Sequence, residues 1–440
     1  MSLEEEVLRG IRPTAETVRQ VQEAVGLLEG RVREVMATKG LPLQLMLVGS
    51  VAKGTYVGTP DIDLFILFPE EVERPVLERV GLEIGQEVLG GELRYAEHPY
   101  THGKFMGLEV DLVPCYAVTD PGSLRSAVDR TPFHTRYVLA NLGEGQRDQV
   151  LLLKRFMKGV GTYGAEARVQ GFSGYLNELL VIKYGTFRGV LEAAIDWRPG
   201  LVLDVLGGRK GGEAPLTFID PVDPRRNVAS ALSLDNLCLF QQACREYLGK
   251  EDERFFFPSP RPLLGLREIK DRLRQRGNDV LVVEMDRPGL IDDNLYPQVQ
   301  RSILGLRKLL EASDFKVLDA VFDVDEKVRM AFEMEHCRLP LGRLHLGPPA
   351  WTPNAGEFVS KWRENGLGQP FLREGRWQAH VRRDHHRAED LLMARGREAS
   401  LGNEFRELRG MHCTVGSAAL VSHNRGVLTK LLDKRERWRV

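Results

Sequence analysis

Two aspartates separated by one residue, Asp61 and Asp63, open the apolar run DIDLFILF, and a third, Asp111, lies inside a second such run, LEVDLV. On a strand, residues i and i+2 share a face, so Asp61 and Asp63 project together. Adjacent carboxylates repel, and at neutral pH such a pair either holds a proton at a raised pKa or is neutralised by a divalent cation. A third carboxylate on a neighbouring strand completes an all-oxygen donor set suited to magnesium. Two such ions serve phosphoryl transfer to a hydroxyl, one activating the nucleophile and one holding the triphosphate and the leaving pyrophosphate. Gly49-Ser50 stands ten residues before the pair and closes another short apolar run. Glycine there admits close backbone approach, and amide and hydroxyl donors can hold terminal phosphates. Lys53, just downstream, offers a counter-charge. Asp111 within an apolar strand is costly to bury without a partner, which argues against chance placement.

These residues need elements to hold them. From Thr14 to about Lys39, Val18, Val21, Val25, Leu28, Val32, Val35 and Met36 recur at helical spacing and Gly40 supplies a stop, which predicts an amphipathic helix. Residues 43–48 read as a strand running into a Gly49-Ser50 turn, and 61–68 and 108–113 read as two further strands. From about Gln146 to Lys250 the runs QVLLLKRFMKGV, SGYLNELLVIKYGTF and NVASALSLDNLCLFQQACREYL are helical in period. FFFPSPRP, residues 255–262, marks a junction. Beyond it, LREIKDRLRQRG and LYPQVQRSILGLRKLLEAS predict helices, and DVLVVEM, KVLDAVFDV, KVRMAFEME and GRWQAHVRR predict strands. Residues 341–368, rich in proline and glycine, read as irregular. The fold class is mixed α/β, with a catalytic domain over 1–145, a helical domain over 146–257 and an α/β body and tail over 258–440.

Hydrophobic content of 42% is ample for several cores, and no apolar run approaches the length of a membrane span. The N-terminus MSLEEEVLRG is acidic where a secretory signal is basic, so the expected location is cytoplasmic. Five cysteines without a CxxC pair argue against disulfides or a zinc site and predict buried, reduced thiols. The net charge of -1 hides an asymmetry: residues 341–440 carry 18 Lys and Arg against 11 Asp and Glu. A basic C-terminal quarter suits a nucleic-acid backbone held through counterion release. Three other features carry no chemistry. GFSG at 171–174 lacks the spacing of a hydrolase elbow, GGRKGG at 207–212 lacks the lysine followed by Ser or Thr of a phosphate loop, and His385-His386 point to opposite faces of a strand.

The order Gly-Ser, Asp-x-Asp and a later strand Asp resembles the polymerase β-type nucleotidyltransferase superfamily. LMLVGSVAKGT, DIDLFILFPEE, RYAEHPYTHG, EVDLVPCY, SAVDRTPFH, GTYGAEARVQGFSGYLNELL, DPVDPRRNVASALSLDNL and DDNLYPQ are together similar to class I, archaeal-type CCA-adding enzymes, densely over about residues 1–310 and loosely beyond. The resemblance implies a nucleotidyltransferase head, a nucleotide-selecting neck, and a body and tail that grip the acceptor and TΨC arms of tRNA. It implies Asp61, Asp63 and Asp111 as ligands of two Mg²⁺ ions, with Asp111 nearest the attacking 3′-hydroxyl, and Gly49 and Ser50 against the triphosphate. Lys53 stands where the family commonly has arginine, which keeps charge but loses bidentate phosphate contact. His134, Lys154 and Tyr163 match positions around the sugar and phosphates of the incoming nucleotide, and Arg226 the arginine that selects C or A. Glu97 and His98 match a pair near the incoming base and primer end. The implied reaction adds C, C and A to tRNA from CTP and ATP without a nucleic-acid template, and a homodimer is compatible with it. The alternatives are a poly(A)-polymerase-like, CC-only or A-only transferase, and an RNA-binding relative whose site has decayed.

Overall fold

A computed structural model describes residues 2–95, 98–205 and 207–440. The chain divides into two compact units, Met1–Pro260 with Glu436–Val440, and Arg261–Arg435.

In the first unit, α1 (Leu3–Ile11) opens on a capping box in which the Ser2 hydroxyl accepts from the Glu5 amide and the Glu5 carboxylate accepts from the Ser2 amide. α2 (Ala15–Thr38), capped by Thr14, is the helix that the apolar spacing predicts, and its stripe Val21, Ala24, Leu28, Val32, Val35 and Met36 is buried. Then come β1 (Gln44–Val48), α3 (Gly49–Lys53), β2 (Ile62–Phe68), α4 (Arg74–Leu89), β3 (Glu92–Tyr95), β4 (Pro99–Phe105) and β5 (Leu108–Tyr116). Gly49-Ser50 is thus the first turn of a short helix rather than a plain turn. Residues 74–105, where the sequence predicts no element, form one helix and two strands.

The sheet runs β1-β2-β5-β4-β3, with β2 and β5 parallel and the other pairs antiparallel. Parallel neighbours need a crossover, and α4, β3 and β4 provide it. Ile62, Leu64, Ile66, Phe68, Val110 and Leu112 join α2 and α4 in one core. Asp63 and Asp111, at alternate positions, face the other way, where Phe65, Leu67, Val113 and Cys115 form a smaller apolar patch. α4 lies close on the sheet because Gly81 and Gly85 carry no Cβ to strike Pro114 and Thr101.

The helical middle comprises α5 (Arg130–Asn141), α6 (Gln146–Val160), α7 (Gly174–Tyr184), α8 (Phe187–Ile195), β6 (Leu201–Leu203), β7 (Gly208–Lys210), β8 (Leu216–Phe218) and α9 (Leu234–Gly249). α7 and α9 start at serine caps, Ser173 and Ser233, whose hydroxyls accept from the Leu176 and Asn236 amides. The helical run expected from Asn227 therefore begins seven residues late. Asn227 takes the preceding turns instead, its side chain accepting from the Phe218 and Ala229 amides. Phe156 on α6 stands among Phe187, Phe240, Tyr247, Phe255 and Phe256 with ring centroids 5.4 to 6.2 Å away. Such pairs contribute about 0.5–1.5 kcal/mol each beyond burial. Trp438 stacks on Phe255 at 5.3 Å and donates Nε1 to Glu246 at 2.8 Å, which ties residues 436–440 into this unit.

The second unit holds α10 (Leu266–Arg276), β9 (Asp279–Asp286), α11 (Asp292–Ala312), β10 (Val317–Val324), β11 (Lys327–Met334), β12 (Gly342–Pro349), α12 (Ala355–Asn365), β13 (Phe371–Arg373), β14 (Arg376–Arg382), α13 (Ala388–Arg395), β15 (His412–Val415) and α14 (Arg425–Leu432). Its larger sheet is antiparallel in the order β10-β11-β9-β15. Leu281, Val283 and Met285 of β9 enter one core and Val280 and Val282 another, so burial on both faces explains the unbroken apolar run. Residues 341–368, expected to be irregular, contain β12 and α12, and β12-β14-β13 form a second sheet. The proline pair ends a strand there, just past a register break after Leu346, so it punctuates rather than excludes the strand. Cys115, Cys244 and Cys337 are buried, Cys413 is half-buried and all five thiols are free, but Cys238 lies exposed on α9, against expectation. Among the described residues no helix is long and apolar enough to cross a membrane.

Candidate active site

Pairing of β2 with β5 makes Asp63 and Asp111 direct neighbours across the ladder, and pairing of β5 with β4 makes His102 the next. Asp61 lies at the mouth of β2 and is more exposed. Burial, then the charges of Asp111 and Asp61, push the Asp63 carboxyl up to about 7, with Lys53 offsetting part of the rise. Burial likewise raises Asp61, with Asp111 and Glu109 adding to it. Three carboxylates from two stretches thus share one field, the load that a divalent cation relieves, and their oxygen-only donors fit magnesium. They are not a finished cage: among the described residues no three acidic, imidazole or thiol side chains stand in metal-binding geometry. Asp111 Oδ1 lies 2.6 Å from His102 Nδ1, and His102 Nε2 lies 3.1 Å from Glu109. A cation held by all three aspartates would compete with His102 for Asp111.

Gly49 has φ +71°, and a Cβ there would intrude on Asp63 Oδ2. Both the backbone angle and the space therefore demand glycine, and the Asp63 carboxylate rests over the start of α3. Ser50 is half-buried in that same turn. Tyr100, on the face of the sheet that carries His102, feels the charges of Asp111 and Asp63.

Lys53 and Lys154 share one acid. Both are buried, 7% and 3% exposed, and both pair with Glu178 of α7, at 2.6 and 3.2 Å. Thr55 Oγ1 donates to the same carboxylate at 2.6 Å, and Lys154 donates to the Thr55 carbonyl at 2.9 Å. Burial alone would raise the Glu178 pKa, but Lys154 and Lys53 outweigh it and hold the carboxyl below its ordinary value. Burial lowers Lys154, with Glu178 opposing. The reason is structural: α3, α6 and α7 meet where one acid must satisfy two ammonium groups. Tyr163 belongs to this corner. Its hydroxyl and the Lys154 ammonium both approach the open side of Gly174, and the Lys158 ammonium sits 5.1 Å from its ring centroid. Lys158, one turn beyond Lys154, also feels the charge of Asp61.

His134 and Arg226 meet at a different carboxylate. Asp220 Oδ2 lies 2.8 Å from His134 Nε2 and 2.9 Å from Arg226 Nη1, and Asp220 Oδ1 accepts from the Tyr175 hydroxyl at 3.2 Å. Tyr175 and Glu178, three apart on α7, bring this cluster next to the lysine cluster. His98 is not with either. It is buried with Nδ1 3.4 Å from Glu78 of α4, on the core side of the sheet, away from the aspartates. Glu97 lies outside the described residues.

The sequence reading missed His102, Glu178, Lys158, Tyr175 and Asp220. Glu178 had a signal of the same kind as Asp111, an acid inside the apolar helical run GYLNELLVIKY.

Residues 30–134 match the family described as nucleotidyltransferase domain, residues 148–257 the second domain of tRNA nucleotidyltransferase, and residues 276–415 the C-terminal domain of CCA-adding enzyme. Over 434 residues the chain is 39% identical to the CCA-adding enzyme of Methanosarcina barkeri, spanning 96% of this chain and 93% of that protein. The chain belongs to the CCA-adding enzyme family. The CCA-adding enzyme of Methanothermobacter thermautotrophicus is 45% identical over 356 residues, 79% of this chain and 78% of that protein. Among solved structures, the Cid1 poly(U) polymerase is a distant likeness, with 14% identity and a TM-score of 0.47 over 57% of this chain and 94% of that one.

Proposed function

We propose that this chain adds C, C and A in turn to the 3′ end of tRNA, using CTP and ATP, without a nucleic-acid template and with release of pyrophosphate. The observation that carries the reading is the convergence of Asp61, Asp63 and Asp111 beside Gly49, in a chain aligned over nearly its whole length with CCA-adding enzymes. Asp61, Asp63 and Asp111 would hold two magnesium ions, which would supply the Lewis acidity that makes a ribose hydroxyl nucleophilic and offsets triphosphate charge. Asp111, paired to His102, stands nearest the attacking 3′-oxygen. That oxygen bonds the α-phosphorus as the bond to the bridging oxygen of pyrophosphate breaks.

Gly49 and Ser50 hold the triphosphate at the half-buried first turn of α3. Tyr163 and Lys154 border it, Lys154 and Lys53 as a positive field behind the phosphates, since two ammonium groups on one Glu178 leave a net positive corner. His134 packs near the sugar, and Arg226 reads the base edge. The 1–145 segment serves as catalytic head, 146–257 as selecting neck, and 258–440 as the tRNA grip, its basic character concentrated in 341–440. We place the enzyme in the cytoplasm.

The test incubates the protein and Mg²⁺ with tRNA ending before, within and after CC, together with each labelled nucleotide. Sequential C, C and A incorporation is expected. Failure to incorporate either C or A removes the reading, and product sequencing separates it from A-only, CC-only or poly(A)-type transfer.

A further inference from the structure

We infer that Asp220 is a specificity-positioning residue: it fixes the plane of the Arg226 guanidinium, and that fixed plane sets which base edge the site accepts. The inference rests on the proposed reading of Arg226. Asp220 is wholly buried, and four donors converge on its two oxygens. His134 Nε2 and Arg226 Nη1 approach Oδ2 at 2.8 and 2.9 Å, while the Tyr175 hydroxyl and the Val222 amide donate to Oδ1 at 3.2 and 3.0 Å. The Tyr175 ring stacks on His134 with centroids 4.0 Å apart and planes 22° apart, so the imidazole is fixed from its face as well as its edge. Backbone geometry adds to this. Asp220 N donates to the Arg226 carbonyl at 3.1 Å and Arg226 N to the Asp223 carbonyl at 2.9 Å, which closes the loop so that both ends of the Asp220–Arg226 pair are held.

The guanidinium stays one-third exposed. A guanidinium is planar with five donors in a rigid fork, so fixing one nitrogen on a buried carboxylate fixes the direction of the donors left outside. Discrimination between bases that carry amino or keto groups at corresponding positions depends on such fixed directions, because a donor facing another donor is left unpaired. An arginine free to rotate would satisfy either edge. Asp220 does not reach a base itself, being sealed from solvent.

The experiment compares wild type, Asp220→Asn, Arg226→Ala and the double variant for kcat/KM with CTP, UTP, ATP and GTP, on tRNA ending before the first C and after CC. Asp220→Asn is expected to lower the C-over-U ratio on the order of tenfold, and the double variant to match Arg226→Ala alone. An unchanged ratio, or losses that multiply in the double variant, overturns the inference. Should circular dichroism show that Asp220→Asn does not fold, Tyr175→Phe, which keeps the stack and removes one donor, is expected to shift the same ratio in the same direction, and no shift overturns the proposal. A wild type that adds neither C nor A refutes the functional reading instead, so the two failures are distinct.

Discussion

Replacing Glu178 by glutamine tests the most charged buried corner of the protein. Its carboxylate, 0% exposed, takes Lys53 at 2.6 Å, Lys154 at 3.2 Å and the Thr55 hydroxyl at 2.6 Å. Glutamine keeps shape and the threonine bond but leaves two buried ammonium groups without a counter-charge. Breaking a buried ion pair from one side costs about 3–5 kcal/mol, which lowers the melting temperature of a unit this size on the order of 10 °C. The pH dependence follows from Lys154, which burial already pulls below its ordinary value. A folded-state lysine pKa below the unfolded one means that the unfolded chain binds more protons between the two, so stability rises with pH across that window. Loss of Glu178 lowers the folded-state pKa further and widens the window. The penalty of Glu178→Gln is therefore greatest near pH 7 and shrinks towards pH 10. Urea unfolding of both proteins, followed by circular dichroism at pH 7, 8.5 and 9.5, reads it directly. A penalty under about 1 kcal/mol at pH 7, well below the usual cost of a broken buried pair, or one that grows with pH, refutes the reasoning.

Asp63→Asn should abolish transfer yet stabilise the fold without metal. A carboxyl raised to about 7 by burial and its neighbours opposes folding once ionised, so in EDTA the variant should gain up to about 4 kcal/mol above pH 7 and nothing below pH 4; equal melting curves at pH 8 would contradict this. Gly49→Ala should lose at least about a hundredfold in kcat and also melt earlier, because its Cβ displaces the Asp63 carboxylate and its φ is strained; near-normal turnover would show that the close approach is dispensable. Binding of tRNA should weaken steeply from 50 to 200 mM KCl, with several released counterions in the log–log slope; a slope shallower than about -1 in filter binding would mean that the basic C-terminal quarter does not hold the backbone.

Local patterns made part of this legible. Asp63 and Asp111, acids alternating with buried apolar residues on their strands, announced the face they share, with Asp61 just ahead of β2, and the valine stripe of residues 18–36 announced its helix. What stayed hidden depends on contacts far apart in sequence. That Lys53 and Lys154 meet on one acid stayed hidden because their common partner lies on a third helix, 125 and 24 residues away. Asp220 sits in a proline-bounded loop, and nothing in TFIDPVDPRRN shows that residues from α5 and α7 will converge on it. His98 stood in a recognisable motif, but motif position does not say which face of the sheet a side chain takes. Residues 341–368 misled because proline and glycine mark strand ends as readily as loops.

The return of residues 436–440 to the first unit makes that unit discontinuous along the chain. Trp438, which covers Phe255 and donates to Glu246, is synthesised only after every residue of the second unit. On the ribosome the aromatic cluster around Phe156 must therefore wait, one edge bare, through the translation of residues 261–435. The second unit in turn is tethered at both ends, since the chain enters it from the first unit and returns to the first unit after it.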